Sequence, residues 1–514
     1  MVASVSSPGQ AGQRPHPPGD YPVVVVGSGP GGIQASHFLS QLGIRHAIIS
    51  ADPEPGGMFR RFPFFQRLLS WTKPHAPFAH DSRQYEWYDM NSLVSDDPRL
   101  RAVMPSLMDG SSDFPSRPEM EQGIAAFAQR AGVAVRHDCR WESTRRENEG
   151  FVLATTDGAY RCRAAIFAVG VAEPWKPNTP GFELVPHYVE TRRAETYAGK
   201  RLFIVGKQNS AFELATGLLA WASRIVLASP RAVSFSVNLH SLSGVRARYV
   251  QPREDANLGN GVFIMDASIE RVEARGSVFV VHTRDSLTGE PLAVEVDEVI
   301  AATGFQCPLQ DLPALGVSVF GHNRLPAMTP HFESADVPGL YFAGTIGQGV
   351  SGLGKFGIGS NSGAVHGARY NARLLVRDLV SRHLGLAVTH PSIPPGEVID
   401  YLLEELSTGP ELWNQQGYLA RAVIRAADGS ARDEGIVPLA DWVDRSGPDG
   451  VAVAVESDGR GVIHPVAYQR RGGRVSGESP LPPHPLHDFR TAEHQRLMSE
   501  IAGWLAGPGT MTQA

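Results

Sequence analysis

The sequence predicts an α/β fold with two βαβ units and a C-terminal extension, because the same features recur in a fixed order. Residues 23–26 form a β-branched run that leads into a glycine-rich turn and then into a segment with helical spacing of its apolar residues. The same order returns at residues 201–220. Two further apolar runs, residues 299–302 and 340–343, each reach a glycine soon afterwards. Strands that alternate with helices in this way form parallel sheets with helices on their faces.

The composition, with 42% apolar and 19% charged residues, is ordinary for a soluble globular enzyme. The 514 residues are enough for two or three domains, and the net charge is −6 with the basic residues spread along the chain. A role on nucleic acid or on a membrane needs a concentrated basic face, which is not visible. We therefore expect no nucleic-acid and no membrane partner, and a homo-oligomer stays open. No segment resembles a signal peptide or a membrane span, so the expected location is cytoplasmic.

The three cysteines do not form a redox pair in the sequence. Cys139, Cys162 and Cys307 lie far apart and make no Cys-x-x-Cys motif. A disulfide framework and a dithiol redox centre are therefore both disfavoured. The histidines near the C-terminus lack cysteine or acidic ligands at a suitable spacing, so no metal site is expected.

The first glycine-rich turn has the pattern of a dinucleotide site. Residues 27–32 read G-S-G-P-G-G, which is G-x-G-x-x-G directly after a strand and directly before a helix. In this pattern Gly27 permits a tight turn, Gly29 lets the backbone approach a pyrophosphate, and Gly32 lets the helix pack on the strand. With Pro30 opening the helix, the phosphates are expected at its N-terminus, where free N–H groups and the helix dipole favour anions.

One position departs from this pattern. The second strand of such a unit usually ends in an acid that binds the adenosine ribose. Here Ser50 occupies that place, and the nearest acid is Asp52. Ribose binding is therefore expected from Ser50 or from a shifted Asp52. Gly57 and Met58 follow, and this segment resembles the place where flavoproteins with two dinucleotide domains bring backbone close to the flavin.

A second turn resembles a nicotinamide-nucleotide site. Residues 206–213 read G-K-Q-N-S-A-F-E, close to G-x-G-x-S-A-x-E, with Gly206, Asn209 and Ser210 in the matching places. Gln208 replaces the middle glycine, and its side chain would crowd the pyrophosphate unless the turn shifts. Arg231 lies just beyond the next strand, where a cation meets a 2′-phosphate and favours NADPH. A solvated surface arginine is the alternative.

Two later segments complete the pattern, and with them the chain resembles a known superfamily. Thr303 and Gly304 resemble the A-T-G linker of flavoproteins with two dinucleotide domains, and Gly344 and Thr345 resemble the end of their second FAD-contacting strand. The chain as a whole is similar to the class B flavin monooxygenase superfamily, in particular the branch of the ER flavoprotein associated with degradation and its bacterial relatives. The segments that carry this likeness are residues 59–63, 68–73, 89–93, 114–118 and 365–371.

The resemblance implies two Rossmann-like domains, the first for FAD and the second for NADPH. It divides the chain into a disordered tail (1–20), an FAD-binding part (21–184), an NAD(P)H-binding domain (185–300), a second FAD-binding part (301–385) and a C-terminal extension (386–514). A helix is expected over residues 361–381. In the extension we expect one good helix at residues 398–406 and a loop or linker at residues 477–487.

The resemblance also implies a reaction. NADPH would reduce FAD, and O₂ would form a C4a-hydroperoxyflavin that N-hydroxylates a small amine or amino acid. Asn91 resembles the asparagine near the reactive edge of the flavin, and a turn-capping asparagine is the alternative. The Baeyer–Villiger fingerprint F-x-G-x-x-x-H is missing, because Gly181 and Glu183 stand where its Phe and Gly belong, although His187 is present. A flavin-dependent reductase or dehydrogenase without oxygen transfer and a flavin-binding scaffold remain alternatives.

Overall fold

The computed structural model describes residues 14–63, 66–233, 250–353, 359–458 and 460–506. In these ranges the strands are β1 (Gly19–Val26), β2 (His46–Ile49), β3 (Trp141–Glu147), β4 (Gly150–Thr155), β5 (Gly158–Phe167), β6 (Glu173–Pro174), β7 (Arg201–Val205), β8 (Arg224–Ser229), β9 (Val262–Arg275), β10 (Val278–Asp285), β11 (Pro291–Val296), β12 (Glu298–Ala301), β13 (Phe305–Gln306), β14 (Val319–Phe320), β15 (Leu325–Pro326), β16 (Leu340–Phe342), β17 (Ser392–Ile393), β18 (Leu419–Arg425), β19 (Ala431–Pro438), β20 (Gly450–Ser457), β21 (Ile463–Arg471) and β22 (Arg474–Pro480). The α-helices are α1 (Pro30–Gln41), α2 (Arg117–Arg130), α3 (Asn209–Leu218), α4 (Val250–Leu258), α5 (Val365–Leu384), α6 (Val398–Thr408), α7 (Pro410–Asn414), α8 (Leu439–Asp444) and α9 (Ala492–Ala502).

The first sheet is built around β1, whose valines at residues 23–26 are buried on both faces. Alternate valines pack into two different core clusters, which explains the continuous β-branched run. β1 pairs in parallel with β2 and β5, and β16 pairs in parallel with β5. The register sets Val26 opposite Phe167 and Phe167 opposite Phe342. The carboxyl ends of three strands therefore meet at one edge, where ligands bind in such sheets.

The second sheet has the order β11-β10-β9-β8-β7-β12. β12, β7, β8 and β9 run in parallel, and β10 and β11 add an antiparallel edge. This sheet uses strands between residues 201 and 301, whereas the first sheet uses strands before residue 168 and again at residues 340–342. The FAD-type domain is thus interrupted by a second α/β domain, as expected, and the fold is α/β with two βαβ nucleotide-binding units.

The C-terminal region forms a sheet with helices on its faces rather than one helix with loops. Its sheet has the order β17-β19-β18-β20-β21-β22, and every pairing in it is antiparallel. β20 is buried along its whole length, because one face packs with α6 and α9 and the other with α8. The expected loop at residues 477–487 is wrong in its first part, since β22 continues to Pro480 as an edge strand with alternating exposure.

Two other boundaries differ from the expectation. α5 begins at Val365, four residues after the expected start, and ends at Leu384, where Gly385 caps it with a left-handed φ of 68°. Residues 14–20 were expected in a disordered tail, but β1 begins at Gly19 and the Tyr160 hydroxyl donates to the carbonyl of His16. The rest of the expected tail, residues 1–13, lies outside the described residues. In the described ranges, no helix is both long and apolar enough to cross a membrane.

Candidate functional site

The first glycine turn leaves no room for side chains at two of its expected positions. Gly27 has a φ of 111°, and a Cβ on it would lie 2.5 Å from the carbonyl oxygen of Ala168. A Cβ on Gly32 would lie 1.9 Å from the carbonyl oxygen of Gly27. The tight turn and the close packing of helix on strand, which the motif predicts for these two glycines, are both present.

Four glycines from three segments converge at the N-terminus of α1. A Cβ on Gly57 would lie 2.9 Å from the Cα of Gly29. A Cβ on Gly31 would lie 2.5 Å from the backbone nitrogen of Gly344, at the end of β16. The surface here consists of backbone, so a pyrophosphate can approach N–H groups closely. Gly31 was not singled out from the sequence, because it occupies a variable position of the motif.

The N-termini of the two motif helices lack a side-chain cap. α1 has Gly29 as its N-cap and α3 has Gln208, and neither helix has a capping side chain or an acid in its first turn. α2, by contrast, carries a full capping box from Ser116 and Glu119. Uncapped N–H groups need partners from water or a ligand, and the helix dipole favours an anion. The residues at both helix starts therefore fit the phosphates of a dinucleotide.

The residues expected to bind the FAD ribose are held in a local network. The Ser28 hydroxyl donates to the Ser50 hydroxyl oxygen at 2.8 Å, and the Asp52 backbone nitrogen donates to the same oxygen at 3.1 Å. The Asp52 carboxylate pairs with Arg61 at 3.1 Å. Ser50 follows β2 directly, which is where the ribose ligand of the motif belongs. Its role and that of Asp52 stay predictions.

The second turn tolerates Gln208 without backbone strain. Gln208 has φ −113° and ψ −169°, and Gly29 in the first turn has φ −73° and ψ −177°, so both are extended. The middle position of this motif therefore needs no glycine for its backbone, and the Gln208 side chain is exposed. Gly206 does need its glycine, because a Cβ there would lie 2.4 Å from the carbonyl oxygen of Ala302. The predicted crowding of a pyrophosphate by Gln208 stays a prediction.

The start of α3 offers polar groups to a ligand. Asn209 and Ser210 are its first two residues. The Oδ1 atom of Asn209 is buried and has no hydrogen-bond partner among the described residues. Such an atom costs about 1–3 kcal/mol if it stays unsatisfied, so a donor from a bound nucleotide would stabilise it. Arg231 is exposed two residues beyond β8, which is compatible with both of its expected roles.

The two chain segments between the sheets lie side by side. β6 pairs with β13, and the Thr303 hydroxyl donates to the carbonyl of Trp175. The Gly304 carbonyl accepts from the Trp175 backbone nitrogen at 3.1 Å and lies 3.0 Å from His187 Nε2. Burial lowers the pKa of His187, which favours the neutral ring with its proton on Nε2. His187 therefore helps to hold the two connecting segments together, a role that the sequence did not indicate.

The end of β16 is joined to the end of β5. The Val171 backbone nitrogen donates to Thr345 Oγ1 at 3.2 Å. Gly344 has a φ of 82° and faces the N-terminus of α1 through Gly31. Gly344 thus lies beside the glycine surface described above, with Thr345 next to it in the chain, and the contact of both residues with FAD stays a prediction.

Asn91 is buried, and neighbouring residues use both N–H groups of its side-chain amide. Its Nδ2 donates to the Ser70 carbonyl and to Thr72 Oγ1, both at 3.1 Å, and the Ser70 hydroxyl donates to its Oδ1 at 2.6 Å. The buried Arg369 of α5 donates to the carbonyls of Asp89 and Ser92 at 2.7 Å and so fixes the same segment. These contacts favour a structural asparagine, and its expected place at the flavin edge stays a prediction.

The C-terminal domain reaches into the segment that the resemblance assigns to FAD. Gln415, which is buried just after α7, accepts from the Asn361 backbone nitrogen at 2.7 Å. Its Nε2 donates to the Gly367 carbonyl at 3.0 Å and to Asn371 Oδ1 at 2.9 Å. Nothing in the sequence near Gln415 signals this role, because its partners lie more than 40 residues away.

The cysteines are unsuited to redox chemistry. Cys139, Cys162 and Cys307 are all buried and free. Burial raises the pKa of all three thiols, to about 12 for Cys162 and Cys307. Because the thiolate is the reactive form, none of them is poised to exchange with a disulfide at neutral pH.

Comparison with known proteins gives a consistent family and a mixture of activities. A family model described as pyridine nucleotide-disulphide oxidoreductase matches residues 24–344. FAD-dependent oxidoreductase domain-containing protein 2 of Mus musculus is 25% identical over 81% of this chain, and the match spans 66% of that relative's length. A ferredoxin–NADP reductase of Thermus thermophilus is 26% identical over 67% of this chain and 92% of its own.

Solved structures share the fold at lower identity. A bacillithiol disulfide reductase from Bacillus cereus has a TM-score of 0.56 at 20% identity, covering 71% of this chain and 100% of its own. An ornithine N-hydroxylase from Kutzneria sp. 744 has a TM-score of 0.53 at 13% identity, covering 71% of this chain and 100% of its own. At these identities the likeness concerns the fold alone.

Proposed function

Because the chain belongs to the pyridine nucleotide-disulphide oxidoreductase family and is therefore an oxidoreductase, we propose that it is an FAD-dependent monooxygenase. It would use NADPH and O₂ to N-hydroxylate a small amine or amino acid. The mouse relative is described as FAD-dependent. The glycine surface at α1 supports FAD in this chain, since it brings backbone N–H groups to an uncapped helix terminus.

The state of the cysteines is the observation that carries this proposal. Many flavoproteins of this architecture pass electrons to a thiol pair, but the three thiols here are buried, and burial raises the pKa of each. Reducing equivalents must therefore leave for an acceptor other than the chain's own thiols. Transfer to O₂ and a nucleophilic substrate meets this condition. The ornithine N-hydroxylase shares the fold, so the architecture is compatible with the reaction.

The chain's own residues would bind and orient the reactants. FAD, when bound, supplies the acceptance of hydride from NADPH and the activation of O₂. The start of α1 would hold its pyrophosphate, and the start of α3, with Asn209, would hold that of NADPH. His187 and Gly304 hold the two connecting segments between the sheets side by side.

A reductase without oxygen transfer is the second candidate function. The ferredoxin–NADP reductase relative supports it, and so does Asn91, whose amide groups are already engaged inside the protein. An amide with no free donor is a poor stabiliser of an oxygen species at the flavin. The binding-scaffold alternative is the weaker one, since the chain belongs to an oxidoreductase family.

Turnover with a substrate panel separates the two candidates. The FAD-loaded protein is reduced with NADPH under anaerobic conditions and then exposed to air with a panel of amines and amino acids. We expect prompt bleaching of the flavin and a hydroxylated product that depends on both NADPH and O₂. Bleaching followed by peroxide alone, with every member of the panel, favours the reductase. A Cys162→Ala, Cys307→Ala double variant serves as a control and should keep the product yield.

A further inference from the structure

The two glycine turns are structurally equivalent, so their residues can be compared position by position. The Gly27 backbone nitrogen donates to the carbonyl of Ile49 at 2.8 Å, and the Gly206 backbone nitrogen donates to the carbonyl of Ala228 at 2.8 Å. Ser50, the residue after Ile49, directly follows the second strand of the first unit, and Ser229, the residue after Ala228, is the last residue of the second strand of the second unit. Ser229 in the second unit therefore corresponds to Ser50 in the first, and Lys207 corresponds to Ser28. This strand end is where the adenosine ribose binds in such units.

The side chains of Ser28 and Lys207 extend over different lengths from their turns. In the first turn the Ser28 hydroxyl stops at Ser50. In the second turn the Lys207 ammonium reaches the carboxylate of Asp266 on β9. Asp266 lies directly opposite Ser229 in the register of β8 and β9. Since β8 lies between β7 and β9, the Lys207 side chain crosses the carboxyl end of β8.

The two partners of this ion pair differ in their freedom to move. The Lys207 side chain is 1% exposed, whereas that of Asp266 is 51% exposed. Lys207 is therefore fixed by packing, whereas Asp266 borders solvent and can turn away when another anion takes its place beside the buried ammonium. A phosphate dianion carries more charge than the carboxylate and three acceptor oxygens, so it competes well for a fixed ammonium.

We propose that Lys207 binds the 2′-phosphate of NADPH and that Asp266 is the counter-ion that this phosphate displaces. The proposal rests on the proposed function, since it needs a nicotinamide nucleotide at the start of α3. Ser229, in register with Asp266, adds a hydroxyl at the same place, and the exposed Arg231 follows two residues later. In the alternative arrangement, the ribose 2′-hydroxyl of NADH donates a hydrogen bond to Asp266. The experiment below distinguishes the two arrangements.

Two small probes isolate the phosphate contact from catalysis. Binding of adenosine 2′,5′-bisphosphate and of adenosine 5′-monophosphate to the FAD-saturated protein is measured by calorimetry. Lys207→Met should weaken the bisphosphate about tenfold or more and change the monophosphate less than about twofold, because only the bisphosphate uses the charge. Lys207→Arg should retain most of the difference. Lys200→Met is the matched control, since Lys200 pairs with Glu298 at 2.6 Å at the opposite end of the sheet.

Asp266→Asn distinguishes the two arrangements. A displaced counter-ion predicts about threefold tighter bisphosphate binding and unchanged monophosphate binding, because the competitor for Lys207 is gone. Weaker monophosphate binding in Asp266→Asn would overturn the proposal in favour of a ribose-binding Asp266. It is also overturned if the unaltered protein binds the two probes equally or binds neither, or if Lys207→Met weakens both alike. Thermal melting of each variant confirms that it is folded.

The proposed monooxygenase activity is measured separately on the same samples. Flavin bleaching by NADH or NADPH and product formation report the reaction, whereas the probes report the phosphate contact. A protein that oxygenates its substrate but binds both probes equally keeps the proposed function and loses the phosphate site. A protein with a Lys207-dependent bisphosphate site but no bleaching keeps the site and loses the proposed function.

Discussion

Substitution of Asn91 distinguishes a catalytic role at the flavin from a purely structural role. Its amide makes three hydrogen bonds to Ser70 and Thr72. A catalytic role predicts that Asn91→Ala leaves FAD binding and reduction by NADPH largely intact but raises the peroxide yield per NADPH. The substitution should also cost about 1–3 kcal/mol of folding stability, since buried polar partners are left unsatisfied. Peroxide assays and urea unfolding measure both effects.

The matched control for Asn91 is Thr72→Val, which disturbs the same network but leaves the amide in place. If Asn91→Ala and Thr72→Val lose similar stability and show the same peroxide ratio as the unaltered protein, Asn91 is a structural residue. A rise in peroxide confined to Asn91→Ala assigns it to the flavin edge.

Arg231 gives a prediction about the choice of coenzyme. If it contacts the 2′-phosphate, NADPH is preferred to NADH, and Arg231→Ala should remove much of that preference. Loss of a charge-assisted contact costs roughly 1.5–3 kcal/mol, or about tenfold or more in affinity. Reduction rates of the flavin at varied coenzyme concentration measure it. Equal use of both coenzymes by the unaltered protein contradicts the assignment.

Sequence reasoning at the residue scale succeeds where the constraint is local. Gly27, Gly32 and Gly206 were predicted from their motifs, because each role depends on the turn itself. Lys207 and Gln415 were missed, because their partners lie on other elements. Asp266 and Asn361 are each more than 50 residues away from them, and no sequence pattern records that contact.

The N-terminus of α1 offers a clean test of cofactor binding at the scale of the element. A Cβ on Gly29 would lie 3.8 Å from its nearest atom, Gly57 Cα, and Gly29 has a φ of −73°. The fold therefore has room for a Cβ there, whereas a pyrophosphate at the helix start leaves none. Gly29→Val should fold with near-normal thermal stability of the flavin-free protein and lose FAD, as measured by the absorbance of the purified protein.

Two other glycines provide the comparison for Gly29→Val. Gly31→Ala places a Cβ 2.5 Å from the Gly344 backbone nitrogen and should destabilise even the flavin-free protein. Gly396→Val has open space around it and should change neither property. Full flavin content in Gly29→Val would show that the cofactor does not bind at this turn.

The sequence predicts a helix or strand correctly where the spacing of its apolar residues is distinctive. Both βαβ starts follow the expected order, because a buried run before glycines leaves few alternatives. The start of α5 was placed four residues early, since Ala364 provides no capping side chain to mark it. Only residues 477–480 of β22 fall in the expected loop, because the glycine and proline content of the strand masks an alternation that is only half buried.

The C-terminal domain is attached to the rest of the molecule through buried charges. Arg83 pairs with Glu405 at 2.6 Å and with Glu411 at 2.5 Å, and both carboxylates are almost fully buried. Burial alone would raise the pKa of Glu411, but the charges of Arg83, Arg421 and Arg373 overcome this and lower it. Trp87 stacks on Trp413 beside these pairs with ring centroids 4.8 Å apart. These ion pairs and the stacked rings hold the C-terminal domain against the segment before Asn91.

Removing Arg83 tests this attachment at the scale of the molecule. Arg83→Met leaves two carboxylates buried without their main partner, so it should cost about 3–5 kcal/mol in urea unfolding. Arg490→Met is the control, since Arg490 pairs with Glu404 on the surface, and it should cost less than about 1 kcal/mol. Equal effects of the two variants would show that the buried pairs do not hold the domain.

The same charges predict a pH dependence of stability. The pKa of Glu411 is lowered in the folded state, so its contribution is fully present above its unfolded value, near 4.5. It is lost as the pH falls from there toward the folded pKa. Stability should therefore decline below about pH 5, and the decline should be smaller in Arg83→Met. Urea unfolding between pH 3 and 7 measures the difference, and parallel curves would contradict the account.

Isotope transfer from O₂ tests the central claim most directly. The FAD-loaded protein is supplied with NADPH, ¹⁸O₂ and the amine or amino acid that gives the most product, and the product is analysed by mass spectrometry. A monooxygenase places one ¹⁸O atom in the product for each productive NADPH, and a Gly29→Val sample without flavin gives none. Flavin bleaching and NADPH consumption that yield labelled peroxide but no labelled product, with every substrate tried, would contradict oxygen transfer.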